Sequence, residues 1–396
     1  MSIFQEVRLR VVRMANDDGS NQTAVTPANV GEWLRVANLV YSPAQLRILF
    51  DPASDFETIR NTRLNQLIGG TKLQVDIDAV KDADAIAEKT PERVTVICRT
   101  SRSSDGGPQG NFAGYPEKRV VMGNFDPNAL RDFAHELGHY LGLQHTFFWR
   151  VVQTVGEARV VFDLVGIPAM DGDAGDVSDT PPELMIKDLE NLTDPSIVFD
   201  GKTIPFLRDN IMSYYRPLTL DAKTITAGQV ARIKSILQAR SSAGLEVSEW
   251  QDDWRWCKNC QGLFFSGGQD SAGRCPFIPR PGGPHVKGVS GNYALAHNTA
   301  SFSGQKDWRW CKNCQGLFFA DGQNSAGKCP GGGQHVTGAS GDYALALNAP
   351  GFPGQKDWRL CKKCQGLFFS SAGKCPGGGA HTKTASGMYT LRHTPA

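Results

Sequence analysis

Apolar and polar residues alternate from residue 6 to residue 14. Val7, Leu9 and Val11 fall on one side and Arg8 and Arg10 on the other, the period of a half-buried strand. Gln45–Phe50 reads as a second strand and Arg93–Cys98 as a third, with Cys98 a core residue of that strand. Residues 110–123 predict an edge strand followed by an inner strand, Arg119–Met122. Helical spacing enters at Thr26-Pro27, a good helix start, and continues through Val30, Trp33, Leu34 and Ala37. Residues 54–68 and 78–88 fit helix or irregular chain equally well. Asp126 and Pro127 suit the N-cap and first position of another helix, whose apolar stripe is Leu130, Phe133, Ala134, Leu137 and Leu141. Thr226-Ala227-Gly228-Gln229 fits a capping box and starts a helix with Val230, Ile233, Ile236 and Leu237 facing inward, ending near Arg240.

The face opposite the stripe of the fourth pattern carries chemistry. Residues 135–145 read His-Glu-Leu-Gly-His-Tyr-Leu-Gly-Leu-Gln-His. Positions i and i+4 of a helix share a face, so His135 and His139 can point two imidazoles at one metal ion. Glu136 sits about 100° around the helix, beside the metal rather than on it, where a water would be. Gly142 can adopt φ > 0, end the helix and return the chain, which brings His145 in as a third ligand. Three protein nitrogens leave one position open, the arrangement of a catalytic zinc.

This motif resembles that of the metzincin metalloproteases. Asn210-Ile211-Met212-Ser213-Tyr214-Tyr215 looks like their methionine turn. Gly172–Pro182 and Ala113-Gly114-Tyr115-Pro116 resemble the pappalysin branch, and the similarity covers roughly residues 1–242. The resemblance implies a two-lobed zinc endopeptidase with a mixed sheet, a zinc helix and an edge strand on which a substrate peptide pairs. It implies Met212 beneath the metal and Tyr214 assisting the transition state. Glu136 is the expected general base, taking a proton from a metal-activated water and passing it to the leaving amine. Asp173, Asp176 and Asp179 crowd a glycine-containing loop, for which a calcium site and a solvated acidic loop are the two readings. One feature departs from the secreted members, which commonly carry disulfides here: no cysteine lies between residues 99 and 256. A non-catalytic binding or adhesion protein on a metzincin scaffold is the alternative.

The rest of the chain is a threefold repeat. Trp254-Arg255-Trp256-Cys257-Lys258-Asn259-Cys260-Gln261-Gly262-Leu263-Phe264-Phe265 recurs from Trp308 and again from Trp358, with Leu360 for the second tryptophan. Each copy adds a third cysteine, a glycine-rich turn, a histidine and a Tyr-x-Leu segment. Three cysteines cannot all pair within one copy. Three thiolates and an imidazole can close a tetrahedral zinc site: Cys257, Cys260, Cys275 and His285; Cys311, Cys314, Cys329 and His335; Cys361, Cys364, Cys375 and His381. Disulfides and reduced thiols in a trefoil core are the other readings. The tryptophans and the Leu-Phe-Phe run serve either a small core or an exposed platform. His297 and His393 fall outside the ligand positions and read as surface residues.

The expected fold is therefore α+β. A two-lobed catalytic domain spans 1–242, a linker 243–253, and a small β-rich threefold region 254–396, zinc-ribbon-like or β-trefoil-like, with copies near 254–300, 308–348 and 358–393. One catalytic and three structural zinc ions are expected. Charge adds an asymmetry to this picture: residues 250–396 hold 16 Lys and Arg against 7 Asp and Glu, whereas 1–249 hold 26 against 33. A basic tail suits an anionic surface or polymer, beside the protein or peptide substrate of the front domain. No run of 18 apolar residues predicts a transmembrane helix, and the N-terminus lacks the apolar core of a secretory signal. Cytoplasmic residence and leaderless export both remain open, and the first strand near residue 6 leaves little room for a propeptide.

Overall fold

The computed structural model describes residues 3–68, 71–100, 112–113, 116–123, 130–147, 151–165, 177–181, 183–190, 192–215, 224–277, 283–289, 291–298, 302–339, 341–369, 373–385 and 387–395. The chain divides into two compact units, Glu6–Val247 and Ser248–Ala396, the latter joined by Met1–Gln5.

The front unit is built on a mixed sheet. Strand β1 (Ile3–Ala15) is paired by β2 (Leu46–Leu49) and β3 (Phe56–Arg60), and the order continues through β4 (Val94–Arg99) and β6 (Arg119–Gly123) to β5 (Phe112–Ala113). The pairs β1–β3, β1–β4 and β4–β6 are parallel; Phe112 of β5 lies antiparallel to Val121 of β6. Because successive strand residues point to opposite faces, each strand serves two cores. Leu9, Val11, Val96 and Val120 face one, with Trp33 and Ala37 of α1 (Pro27–Val40) and Phe133 and Leu137 of α4 (Leu130–Tyr140). Val12, Met14, Ile97 and Val121 face the other, with Leu64 of α2 (Thr62–Gln66) and Ala79 and Ala83 of α3 (Lys72–Ala87). The Trp33 and Phe133 rings stack with centroids 5.4 Å apart, which seats the motif helix on α1. Cys98 is buried and unpaired in the first of these cores.

After His145 the chain builds a smaller core. Val152, Leu184, Ile186, Phe199 and Ile204 enclose it, using α5 (Val155–Val165) and the hairpin β7 (Ser196–Phe199) with β8 (Lys202–Pro205). The final helix, α6 (Ala227–Ser242), opens with the capping box formed by Thr226 and Gln229.

The elements of the rear unit are all β among the described residues. Each copy gives a long first strand (β9 Val247–Trp256, β14 Gln305–Trp310, β19 Gln355–Leu360), a Leu-Phe-Phe strand (β10 Leu263–Phe265, β15 Leu317–Phe319, β20 Leu367–Phe369) and a tyrosine strand (β13 Asn292–His297, β18 Tyr343–Leu347, β21 Tyr389–Thr394). The first two copies add two-residue ribbons, β11 (Ser271–Ala272) with β12 (His285–Val286) and β16 (Ser325–Ala326) with β17 (His335–Val336). Within a copy, the first strand pairs with both of the other main strands. Between copies, β13, β18 and β21 pair with one another, which closes the arrangement around a threefold axis.

Side chains interlock the copies in the same cyclic sense. Tyr343 meets Trp254, Tyr389 meets Trp308 and Tyr293 meets Trp358, each edge to face at 5.2 Å. The hydroxyl of Tyr343 donates to Gln251 Oε1, that of Tyr389 to Gln305 Oε1 and that of Tyr293 to Gln355 Oε1. The tryptophans thus form a core rather than a platform.

Three expectations are revised by this fold. Residues 56–60 form a strand, because a parallel partner 45 residues away in β1 supplies the ladder. The span 243–253 is strand from Val247 onward, held by pairing of Trp254 with Tyr293. His297 is buried, with Nδ1 2.5 Å from Glu249 Oε1 and its ring beside Tyr343; His393 is half-buried against Tyr293.

Candidate active site and metal centres

Helix α4 delivers His135 and His139 one turn apart. The turn at Gly142, with φ +85°, swings the chain back so that His145 faces both. A Cβ on Gly142 would lie 2.6 Å from Ile236 Cγ1, so both its conformation and its contact require glycine. His145 Nε2 lies 3.2 Å from His135 Nε2 and 3.1 Å from His139 Nε2. The ring orientations are fixed from behind: His135 Nδ1 donates to Ile211 O and His139 Nδ1 to Leu143 O, both at 2.8 Å. Each of those two rings therefore turns an Nε2 lone pair inward.

That arrangement suits a shared cation. His145 Nε2 can donate a proton to only one of the two lone pairs it faces, and the other contact is repulsive. A tetrahedral zinc with bonds of about 2.0–2.1 Å would set its nitrogens about 3.3 Å apart, close to the spacings here. Burial holds all three imidazoles neutral: it takes His135 well below the usual range, lowers His139 and, with His139 adding to it, lowers His145 to about 3. The three histidines fit a metal ion.

Glu136 is buried next to the ligands. Burial raises its carboxyl to about 8, with the Asp132 charge adding to the shift. A bound cation acts in the opposite sense. Tyr214, 40 % exposed, stands over the site with its ring centroid 4.8 Å from that of His145 and 5.4 Å from that of His135. Burial raises its phenol to about 12, so it is a proton donor at ordinary pH. Met212 is fully buried beneath the helix, where a Cβ on Gly138 would lie 2.5 Å from its sulfur. Glycine inside the motif is what lets the methionine turn approach.

Several positioning residues escape a reading of the sequence. Phe147 stacks on the His145 ring at 4.7 Å and also touches Tyr214. Asn210 Oδ1 accepts the Met212 N–H at 2.9 Å while its Nδ2 donates to Gln229 Oε1 at 2.9 Å, tying the methionine turn to the cap of α6. Gln229 was legible as a capping residue; its second bond was not. Arg240 donates to Tyr140 O at the end of the motif helix, with its guanidinium 3.5 Å from the Tyr140 ring centroid, a cation at a helix C-terminus.

Of the expected calcium ligands, Asp173 and Asp176 lie outside the described residues. Asp179 directs its carboxylate to α6, accepting from Thr226 Oγ1 at 2.8 Å and Gly228 N at 2.9 Å.

The rear unit gathers each expected set of three cysteines and one histidine, with all ligand atoms of a set within 4.8 Å of one another. The Sγ–Sγ distances are 3.9 Å for Cys257–Cys275 and 3.8 Å for Cys311–Cys329 and Cys361–Cys375. Histidine Nδ1 lies 3.4 Å from Cys260 Sγ, 3.4 Å from Cys314 Sγ and 3.5 Å from Cys364 Sγ. A disulfide needs about 2.05 Å between sulfurs. Zinc bonded tetrahedrally at about 2.3 Å to sulfur and 2.0–2.1 Å to nitrogen would give about 3.8 and 3.5 Å. Hydrogen bonds from Cys260 and Cys275 pull Cys257 far below the usual thiol range, while Cys260 is pushed well above it. Such a cluster keeps one thiolate and resists a second unless a cation joins it. Main-chain N–H groups of Gly331 and Gly377 point at Cys329 and Cys375 Sγ, as partners of a thiolate do.

A family model described as pregnancy-associated plasma protein-A, peptidase family M43, matches residues 94–238, from β4 through the three histidines to α6. No curated protein matches the chain. Among solved structures, the fold is compared with metalloproteinase-II from Bacteroides fragilis at 8 % identity and a TM-score of 0.30, over 58 % of this chain and 53 % of that one. A chaperone–substrate complex gives 14 % identity and a TM-score of 0.25, over 37 % and 26 %. The chain thus spans about half the length of the first of these and a quarter of the second. Among the described residues no helix is long and apolar enough to cross a membrane. The family match supports a zinc metalloprotease in general.

Proposed function

We propose that the front unit is a zinc-dependent endopeptidase of the pappalysin-like kind. The approach of His135 and His139 Nε2 to His145 Nε2, at 3.2 and 3.1 Å, with Glu136 on the adjoining helix position and Tyr214 over the rings, carries this reading. His135, His139 and His145 would hold zinc, which when bound would supply Lewis acidity to water and to the scissile carbonyl. Glu136 takes the proton from the attacking water at a carboxylate oxygen and delivers it to the leaving nitrogen. The Tyr214 hydroxyl donates to the oxyanion as it forms. Met212 and Phe147 hold the ligand cage in place. Strand β5, last in the sheet order, offers a backbone edge for an extended peptide substrate.

The rear unit is proposed to hold three structural zinc ions, one per copy, and to bind or target a partner through its basic surface. The distances within the Cys3His sets support the first part, and the charge count supports the second.

Glu136→Ala is the direct test. The variant retains one zinc in the front unit and loses hydrolysis of casein and of a quenched peptide library by about 10²–10⁴-fold, the usual worth of a general base. The non-catalytic alternative predicts that wild type and variant are equally inactive. Unchanged turnover by the variant would remove Glu136 from the mechanism.

A further inference from the structure

The cysteine turn of each copy is held from two sides. It runs from the first repeated cysteine to the glutamine after the second. That glutamine is left-handed: φ is +65° at Gln261, +65° at Gln315 and +57° at Gln365. Residues with a Cβ rarely adopt this conformation. Within the copy, Gln261 N donates to Cys257 O, Gln315 N to Cys311 O and Gln365 N to Cys361 O, each at 2.8 Å. Trp256 Nε1 donates to Gln261 Oε1 at 3.1 Å, and Trp310 Nε1 to Gln315 Oε1 at 3.0 Å.

The other side is held by a different copy. Phe265 N donates to Gln315 O at 2.9 Å, Phe319 N to Gln365 O at 2.8 Å and Phe369 N to Gln261 O at 2.9 Å. In the same sense, a glycine lies against the carbonyl of the second cysteine: Gly273 against Cys314, Gly327 against Cys364 and Gly373 against Cys260. A Cβ on any of the three would overlap that oxygen, and their φ angles are +64°, +62° and +101°, so only glycine fits. These glycines stand two residues before Cys275, Cys329 and Cys375. The segment that carries the last cysteine of one set therefore braces the turn of the next. Between the third copy and the first, the link also joins ligand to ligand: His381 Nε2 donates to Cys260 O at 3.1 Å.

We propose that the three Cys3His sets take up zinc as one cooperative unit rather than as three independent sites. A filled set fixes its third cysteine and the glycine beside it. That glycine presses the next turn into the shape its two cysteines need, as outer partners of metal ligands do. The contacts run from the first copy to the second, to the third and back to the first, so no set lacks a brace. The turn is the element that both sets bias. Such coupling is reciprocal and usually worth about 5–150-fold in affinity. The proposal rests on the structural-zinc reading of the rear unit and is independent of the protease reading.

The test equilibrates the intact chain at a series of free zinc concentrations set by a chelator buffer. Iodoacetamide then labels unprotected thiols, and peptide mapping reads each set separately without interference from the front histidines. Protection of the three sets is expected to rise over one zinc range, each curve steeper than single-site binding. His381→Ala should weaken the first set as well as the third, by about fivefold or more. Gly327→Ala removes no ligand and should weaken the second and third sets by at least about fivefold. Gly322→Ala is the control: its φ is +74° and a Cβ there meets nothing, so it carries the strain without the contact. It should leave all three curves unchanged. Near-ultraviolet circular dichroism at saturating zinc establishes that each variant is folded. Separate wild-type curves of single-site form would overturn the coupling alone. So would a loss confined to one set in His381→Ala or Gly327→Ala, or an equal loss in Gly322→Ala. Protection that does not depend on zinc would overturn the structural-zinc reading and the coupling with it.

Discussion

Two kinds of metal-ready cluster occur in this chain, and they differ in what surrounds the ligand atoms. The front cluster presents three Nε2 atoms, with Nδ1 of two rings tied to main-chain carbonyls, and leaves one direction free beside Glu136 and Tyr214. Each rear cluster presents Nδ1 of one histidine and three sulfurs, a complete tetrahedron with no direction left. Two of the three front ligands ride on a helix already packed in a core that includes Trp33, Phe133 and Leu137, and the third follows the turn at its end. Most of the rear ligands come from turns between strands of two to ten residues, with glycines throughout. An open site on a self-sufficient scaffold suits chemistry. A closed site in a loop-rich module suits stability.

Chelation should separate the two most sharply. Stripping zinc from the intact chain is expected to unfold the rear unit, since structural sites of this type contribute about 10–16 kcal/mol in zinc-finger peptides. The front unit should lose activity and keep its helices. The near-ultraviolet signal of Trp254, Trp308 and Trp358 reports the first event and peptide turnover the second. Persistence of that signal in zinc-free protein would mean that the tryptophan core suffices alone. Next in size, Trp308→Ala should destabilise the rear unit by about 3–5 kcal/mol, as deletion of a buried indole does, with turnover by the front unit unchanged. Denaturant melts with both probes would check this; a parallel fall in activity would mean that the units do not act separately.

Smaller effects belong to the front unit. Asn210→Ala removes the acceptor of the Met212 N–H and one of the donors to Gln229 Oε1 and should cost about 1–3 kcal/mol. Lower kcat at full zinc occupancy, with KM little changed, is the expected kinetic signature of a displaced methionine turn. Loss of zinc instead would make Asn210 a determinant of the cage rather than of its alignment. Smallest is Asp179→Ala, which removes an N-terminal cap from α6 and should cost about 1 kcal/mol. Calcium decides what else Asp179 does: added calcium that raises the wild-type melting temperature and not that of the variant would assign it a ligand role.

The local parts of this architecture were legible and the remote parts were not. His135, His139 and His145 lie within eleven residues, so helix periodicity and one glycine place them. The alternation of Val7, Leu9 and Val11 marked β1 because each face of that strand has its own core. By contrast, Phe56–Arg60 is a strand only through pairing with Val11–Ala15. The bond from Asn210 to Gln229 spans 19 positions and follows no period. His297 gave no sign of burial, because its surroundings, Glu249 and Tyr343, come from other strands. The repeat was obvious from Trp254, Trp308 and Trp358. That each tryptophan receives the tyrosine of another copy could not be read from any single copy.

That exchange of tyrosines has a consequence for copy number. In a stacked repeat protein, units can be added or removed at an end because each touches only its neighbours. Here Tyr293 reaches Trp358 and Gln355, so the first copy completes the last. A gene that lost one copy by recombination between the near-identical Trp-to-Phe segments would encode two tyrosines with one misplaced partner each; a gene that gained one would encode a fourth unit with nowhere to close. The number three is thus a stoichiometry enforced by folding, and surviving variants of this module should diverge in their loops before they change their count.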